Sequence, residues 1–148
     1  MLLDNLTDEE QALIAGICRI REVEKGEEVV SEGEDGGTLL LIRKGRAEVR
    51  KALDTAKHKY LRELRTGDFF GEMCFLHKAP RSASVVALEK CEILELNNDD
   101  FDRLAEKYPE IGLKVYRNIA VELVERLRRN NEELKRAVLW AIEGTSPR

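Results

Sequence analysis

From residue 18 to residue 96 the apolar residues come in short bursts of Val, Ile and Leu, and glycine punctuates them at Gly26, Gly33, Gly36, Gly37, Gly45 and Gly67. Bursts of this length are too short for ordinary helices and suit strands. The segments 18–23, 28–31, 38–43, 46–53, 58–64, 82–88 and 91–96 are predicted as strands, with period-two alternation clearest in Ala47-Glu48-Val49-Arg50. Many short strands about 8–12 residues apart, separated by turn residues, imply an antiparallel sandwich or barrel.

Helices are expected on either side. Thr7-Asp8-Glu9-Glu10 sets a hydroxyl three residues before a carboxylate, ahead of Leu13, Ile14 and Ile17, which is a capping box for a helix near 7–16. Asn97-Asn98-Asp99-Asp100 offers cap residues for a helix through Lys107, and Pro109 opens a longer periodic segment to about Ile142. Thirty-odd helical residues extend about 50 Å, further than a barrel of this size can cover, so part of that helix is expected to meet something else. Residues 144–148 read as a frayed tail.

At 148 residues the chain is the size of one domain, divided here into a jelly roll with flanking helices over 1–108 and a lid or dimerisation helix over 109–143. No run approaches a membrane span and the N-terminus is unlike a signal peptide, so a cytoplasmic place and no membrane contact are expected. Cys18, Cys74 and Cys91 are odd in number and far apart, which fits reduced thiols packed as small hydrophobes. Residues 109–148 carry eight Lys/Arg and six Asp/Glu, leaving 17 and 23 for residues 1–108. An acidic body argues against broad attraction to DNA or anionic membranes; an anion would need a specific pocket.

Signatures of catalysis are thin. There is no phosphate loop, no nucleophile elbow, no His-Glu-x-x-His and no Cys-x-x-Cys, and His58 and His77 are expected in exposed loops. Neither an enzyme nor a bound metal or other cofactor is expected, and a metal-dependent enzyme on a cupin-like barrel is disfavoured.

One stretch stands out: Gly67-Asp68-Phe69-Phe70-Gly71-Glu72-Met73-Cys74-Phe75-Leu76, then His77-Lys78-Ala79-Pro80-Arg81-Ser82-Ala83-Ser84-Val85. Gly71 lets backbone approach a ligand and opens a helical turn whose N–H groups attract an anion. Arg81 can reach back to offer a planar pair of donors to a phosphate. A carboxylate at Glu72 beside such an arginine makes sense if the ligand offers both an anion and a hydroxyl, as a ribose phosphate does. The alternative is a plain Glu72–Arg81 salt bridge in a chain that binds no nucleotide and acts as a structural or interaction protein.

The run from Phe70 to Val85 closely resembles the phosphate-binding cassette of the cyclic-nucleotide-binding domain family, which includes catabolite activator proteins and protein kinase A regulatory subunits. The family pattern is Phe-Gly-Glu, an apolar stretch, then Pro-Arg-Ser/Thr/Ala-Ala-Ser/Thr-Val, matched here at each position. Glu32-Gly33-Glu34 and Lys44-Gly45 also resemble the family's turns. The resemblance implies an eight-stranded jelly roll, although only seven strands are assigned above. It implies a ligand of the cAMP class, or cGMP, with Gly71 and Glu72 at the ribose 2′-hydroxyl and Arg81 at the phosphate. Ser82 and Ala83 donate to the phosphate, and Phe70, Met73 and Cys74 belong to the same cassette. Ser82 is ambiguous, since a hydroxyl there can also bond guanine. By position Arg126, Leu127 and Asn130 are candidates to cap the base, against the alternative of a solvated helix face.

Val124, Leu127, Asn131, Leu134, Val138 and Ala141 recur at alternating spacings of three and four, a heptad seam with a polar residue at an inner position, which suits a parallel homodimer. Glu122–Arg126, Glu125–Arg129 and Glu132–Arg136 are expected to pair along the helix. The alternative is a single lid with Leu139 and Trp140 packed on the barrel. The implied output is movement of this helix about Tyr108-Pro109, read by an effector protein. The helix-turn-helix that follows in the activator proteins finds no counterpart after Arg148, so direct DNA binding is not expected.

Overall fold

Eight strands and four helices form in a computed structural model that describes residues 1–54 and 56–144. In chain order they are α1 (Asp8–Ile17), β1 (Arg19–Val23), β2 (Glu28–Val30), β3 (Thr38–Lys44), β4 (Arg46–Ala52), β5 (His58–Arg65), β6 (Phe69–Phe70), α2 (Glu72–Leu76), β7 (Ser84–Ala87), β8 (Cys91–Asn97), α3 (Asn98–Lys107) and α4 (Pro109–Glu143). The seven predicted strands are present with bounds that shift by at most two residues. The eighth is β6, two residues long.

The strands form two antiparallel sheets, β1-β8-β3-β6 and β2-β7-β4-β5. Val23, Val30, Leu40, Ile42, Val49, Leu64, Phe70, Val85 and Ile93 fill the space between them. A second core lies where the helices cover the outside of the first sheet, and it joins Leu2, Leu6, Ile14, Leu39, Phe69, Phe75, Leu96, Phe101, Ile111, Val115 and Ile119. Successive residues of a strand point to opposite faces, so Leu39 and Leu40 serve different cores, as do Phe69 and Phe70. That is why β3 reads as an unbroken apolar run, Leu39-Leu40-Leu41-Ile42, rather than as an alternation. The layout is the mainly-β jelly roll with an N-terminal and two C-terminal helices that the sequence implies.

The caps follow the expected chemistry. The Thr7 hydroxyl accepts from the Glu10 amide and the Glu10 carboxylate from the Thr7 amide, at 3.2 and 3.0 Å. Asn97 caps α3 by accepting from the Asp99 and Asp100 amides. Tyr108 alone separates α3 from α4, and Pro109 starts the last helix. The second core runs across that junction into Ile111, Val115 and Ile119, so the division expected at 108/109 separates elements that share a core.

Several expectations are corrected. His58 opens a strand rather than a loop, and both histidines are exposed. Glu122 and Arg126 pair as expected, but among the described residues Glu125–Arg129 and Glu132–Arg136 do not, and Arg129 turns to Glu122 instead. The alternative weighed for the last helix, with Leu139 and Trp140 packed on the barrel, is not the arrangement seen; Trp140 is 52% exposed. The three cysteines are free, and burial pushes the Cys18 thiol up to about 11. Residues 145–148 of the expected tail lie outside the described residues.

Candidate functional site

Phe70 ends β6 with its ring in the barrel interior, and the chain then turns sharply at Gly71 (φ +81°), which caps the short helix α2 from a left-handed conformation without a side chain. A Cβ on Gly71 would fall 2.6 Å from Arg81 Nη1 and 2.8 Å from the Thr38 carbonyl oxygen. On the other side of the same guanidinium lies Gly36, where a Cβ would overlap Arg81 Nε. Two glycines therefore form the walls of a slot that admits one arginine.

Arg81 is placed in that slot by its backbone. Its amide donates to the Glu34 carbonyl and its carbonyl accepts from the Gly33 amide, both at 2.8 Å. This gives the Glu32-Gly33-Glu34 turn a purpose that its sequence only hinted at. Arg81 is 7% exposed; its guanidinium donates from Nη1 to the Thr38 carbonyl at 3.1 Å and has no carboxylate partner among the described residues. A buried cation left so lightly compensated is costly unless a further anion can reach it.

Arg81 lines a cleft of about 400 Å³ between the barrel and α4, whose apolar lining includes Val30, Val49, Leu61 and Val85, and it also lines a second cleft on the side of Gly36 and Thr38. The structure brings all ten sequence-predicted site residues to the first cleft: Phe70, Gly71, Glu72, Met73, Cys74, Arg81, Ser82, Ala83, Arg126 and Asn130. Leu127, the eleventh candidate, does not line it and is exposed.

Glu72 is 2% exposed, and it does not pair with Arg81. Its Oε1 accepts from Arg126 Nη1, while Oε2 is buried without a partner among the described residues. Arg126 Nη2 reaches Glu122 Oε1 at 3.4 Å, and that oxygen also receives Arg129 at 3.6 Å and Arg62 at 3.7 Å. Three guanidiniums thus share two carboxylates at the mouth of the cleft. Burial first, and then the like charges of Arg62 and Arg129, pull the Arg126 guanidinium down to about 10; burial also lowers Arg62.

Arg62, Arg129, Glu133 and Gly36 are the residues that sequence reasoning missed. Arg62 lies on β5, whose outer half is exposed throughout and so shows no alternation to mark an inward side chain. Arg129 lies one helical turn beyond Arg126 and Glu133 one turn beyond Asn130, so their place on the same helix face was available as a signal. Among the described residues no group of three or more His, Cys, Asp or Glu side chains is set to hold a metal ion, and no helix is long and apolar enough to cross a membrane.

A jelly roll whose late-strand crossover buries an arginine beside a carboxylate defines a class of small-ligand binding domain. The chain belongs to the cyclic nucleotide-binding domain family, which it matches over residues 20–108. The cGMP-dependent protein kinase of Eimeria tenella is 30% identical over 121 residues, or 82% of this chain and 11% of that protein. The cAMP-dependent protein kinase regulatory subunit of Mycosarcoma maydis is 40% identical over 86 residues, 58% of this chain and 16% of that protein. The chain therefore spans a small part of the length of these curated relatives. The crystal structure of the Thermus thermophilus catabolite activator protein superposes with a TM-score of 0.81 at 31% identity, covering 90% of this chain and 61% of that one. The family is one of regulatory binding domains rather than catalytic ones.

Proposed function

We propose that the cleft binds a cyclic purine nucleotide, cAMP in the first place, that the chain catalyses nothing itself, and that α4 reports occupancy to a partner. The observation that carries this reading is the Arg81 slot. A buried arginine with no carboxylate partner among the described residues lines a cleft of nucleotide size, and a buried carboxylate oxygen without a partner among them belongs to the residue at the slot's edge. Phosphate and hydroxyl on one ribose satisfy both. No further cofactor is called for, and the chain would work in the cytoplasm as a sensor.

Calorimetric titration with cAMP and cGMP tests the reading. Arg81→Ala removes a charge-assisted hydrogen bond of about 1.5–3 kcal/mol, at least a tenfold loss of affinity. Unchanged affinity in that variant overturns the assignment and favours the interaction protein without a ligand.

A second reading, cGMP, has its own observation. Arginines are donors only, and guanine presents the O6 and N7 acceptors where adenine presents one acceptor and an amino donor. Arg62, Arg126 and Arg129 at the mouth of the cleft would suit guanine if the base lies there. The relatives divide likewise, since one is described as cGMP-dependent and another as cAMP-dependent. If the Ser82 hydroxyl bonds guanine, Ser82→Ala weakens cGMP by about 1 kcal/mol and leaves cAMP nearly unchanged. A clear preference of the intact protein for cGMP decides for this second reading.

The output would pass through α4, which carries both cleft residues and an exposed apolar seam, with a second copy of the chain as the expected first partner. DNA and membrane surfaces are not expected partners.

A further inference from the structure

We propose that Lys51 is a positioning residue for the cleft: by holding the carbonyl of Ser82 it keeps the amide of Ala83, on the other edge of the same peptide, turned to the ligand's phosphate. The inference rests on the cyclic-nucleotide reading above and gives a role to a residue that does not itself line the cleft.

Lys51 is the last residue but one of β4, and its ammonium has two partners. Nζ donates to the Ser82 carbonyl at 2.6 Å and pairs with Glu32 Oε1 at 2.5 Å. Glu32 is anchored in turn. Its Oε2 accepts from the Ala52 amide at 3.0 Å, and its own amide donates to Ser84 Oγ at 2.9 Å. The Lys51 hydrogen bond, followed by that of the Ala52 amide, holds the Glu32 carboxyl below its ordinary value, so the ion pair persists through the neutral range. The turn after β2, the end of β4 and the start of β7 thus meet at one cation.

The chain that follows the Arg81 slot is therefore held at successive points by groups outside the cleft. Arg81 is held through its amide and carbonyl by the Glu34 carbonyl and the Gly33 amide, Ser82 through its carbonyl by Lys51, and Ser84 through its hydroxyl by Glu32. Between the last two lies Ala83, which lines the cleft together with Arg81 and Ser82. In the trans peptide that joins Ser82 to Ala83, the carbonyl and the N–H leave from opposite edges. An anion is drawn to the amide edge and repelled by the carbonyl edge, so the face this peptide presents decides whether it helps or hinders a phosphate beside Arg81. With its carbonyl tied to a cation the peptide is kept from turning over, and the same hydrogen bond polarises the amide. Phosphate binding should therefore depend on a lysine thirty-one positions before the serine it holds.

The experiment is calorimetry on the full chain with cAMP and its two phosphorothioates, in each of which sulfur, a weak acceptor, replaces one of the two exocyclic oxygens. The variants are Lys51→Met, which keeps the apolar stem and removes donor and charge, and Lys51→Arg, which keeps both. Lys59→Met is the charge control, at the exposed position that pairs with Lys51 across β4 and β5. The isomer whose sulfur takes the place of the oxygen that Ala83 faces has already lost that hydrogen bond. Lys51→Met should therefore weaken cAMP and the other isomer about threefold or more, the effect of one neutral hydrogen bond, and leave this isomer within about twofold. Lys51→Arg should recover most of the loss, and Lys59→Met should leave all three ligands within about twofold.

An equal fall for all three ligands in Lys51→Met, or no fall in any, overturns the inference. So does a fall of the same size in Lys59→Met, which would make the effect one of general charge. Should Lys51→Met disturb the fold by circular dichroism, Lys51→Gln, which stays polar but ends short of the ammonium's place, decides with the same three ligands. An intact protein that binds none of them defeats the cyclic-nucleotide reading and this inference with it, a different result from binding in which Lys51 does not separate the two isomers.

Discussion

The last helix is two different objects joined end to end. Its first three turns bury Ile111, Gly112, Val115 and Ile119 against α1, α3 and the outer face of a sheet. From Leu127 to Gly144 every residue is exposed, including Leu134, Val138, Trp140 and Ile142. Apolar residues recur at helical spacing in both halves. The chain exposes 9654 Å², against about 7,700 Å² for a compact protein of its mass. An apolar period, then, reports that a face seeks a partner but not where the partner is. In the first half the partner is the chain's own core, and in the second no partner lies among the described residues. Between the halves sit Glu122, Arg126 and Asn130, where the cleft meets the helix.

Truncations of side chains sharpen this contrast most. Ile119→Ala leaves a cavity in a fully buried site and should cost about 2–5 kcal/mol. Leu134→Ala should change monomer stability by no more than about 0.5 kcal/mol. Urea unfolding at low protein concentration measures both, and a large loss in Leu134→Ala would show that the distal half folds back on the barrel after all.

Cutting the chain after Ala120 comes next. Both cores remain except for the partly buried Leu123, so the product should fold, with circular dichroism showing an intact sheet. It loses Arg126 and Asn130 from the cleft, and Glu72 loses its cation. Cyclic-nucleotide affinity should fall at least tenfold, and binding unchanged by the cut would break the link between the helix and the site.

The strands were legible because glycine marks their ends, and the capping motifs gave three helix starts. The strand Phe69–Phe70 was not, since two residues carry no period. The slot residues Gly71 and Arg81 lay within one continuous motif, whereas Gly36 reads as an ordinary turn glycine until the fold brings Arg81 against it from forty-five positions away. The Glu72 partner was not legible for the same reason, and the Glu72–Arg81 salt bridge weighed as the alternative does not form. Glu72 and Arg81 are near neighbours in sequence, but the backbone at Gly71 turns the guanidinium into the slot and leaves the carboxylate to α4. Proximity along the chain suggested the pair, and long-range packing chose another.

The distal half has its own, smaller test. If Val124, Leu127, Asn131, Leu134, Val138 and Ala141 face a second copy, Asn131 sits inside the seam and penalises trimers and shifted registers. Asn131→Leu should then strengthen association while loosening its stoichiometry, as sedimentation would show. Trp140, exposed in the single chain, should change its fluorescence as the chains associate. A monomer at high concentration in both forms rejects the seam.

The smallest expected effect belongs to the proximal half, which is tied to α1 by the ion pair of Lys114 Nζ with Glu10 Oε1 at 2.6 Å. The Lys114 hydrogen bond, followed by the Thr7 amide, holds the Glu10 carboxyl below its ordinary value of 4.5. A carboxyl lowered in the folded state takes up its proton more readily when unfolded, so the pair's contribution is present above about pH 4.5 and is lost as pH falls through the folded value. The Lys51 partner of Glu32 acts in the same direction in the barrel, so acid sensitivity is shared between the two sites. Glu10→Gln should therefore flatten, but not abolish, the fall of stability below pH 4.5, and leave the neutral region slightly lowered. An acid limb unchanged in Glu10→Gln would show that this ion pair does not tie the packed half of α4 to α1.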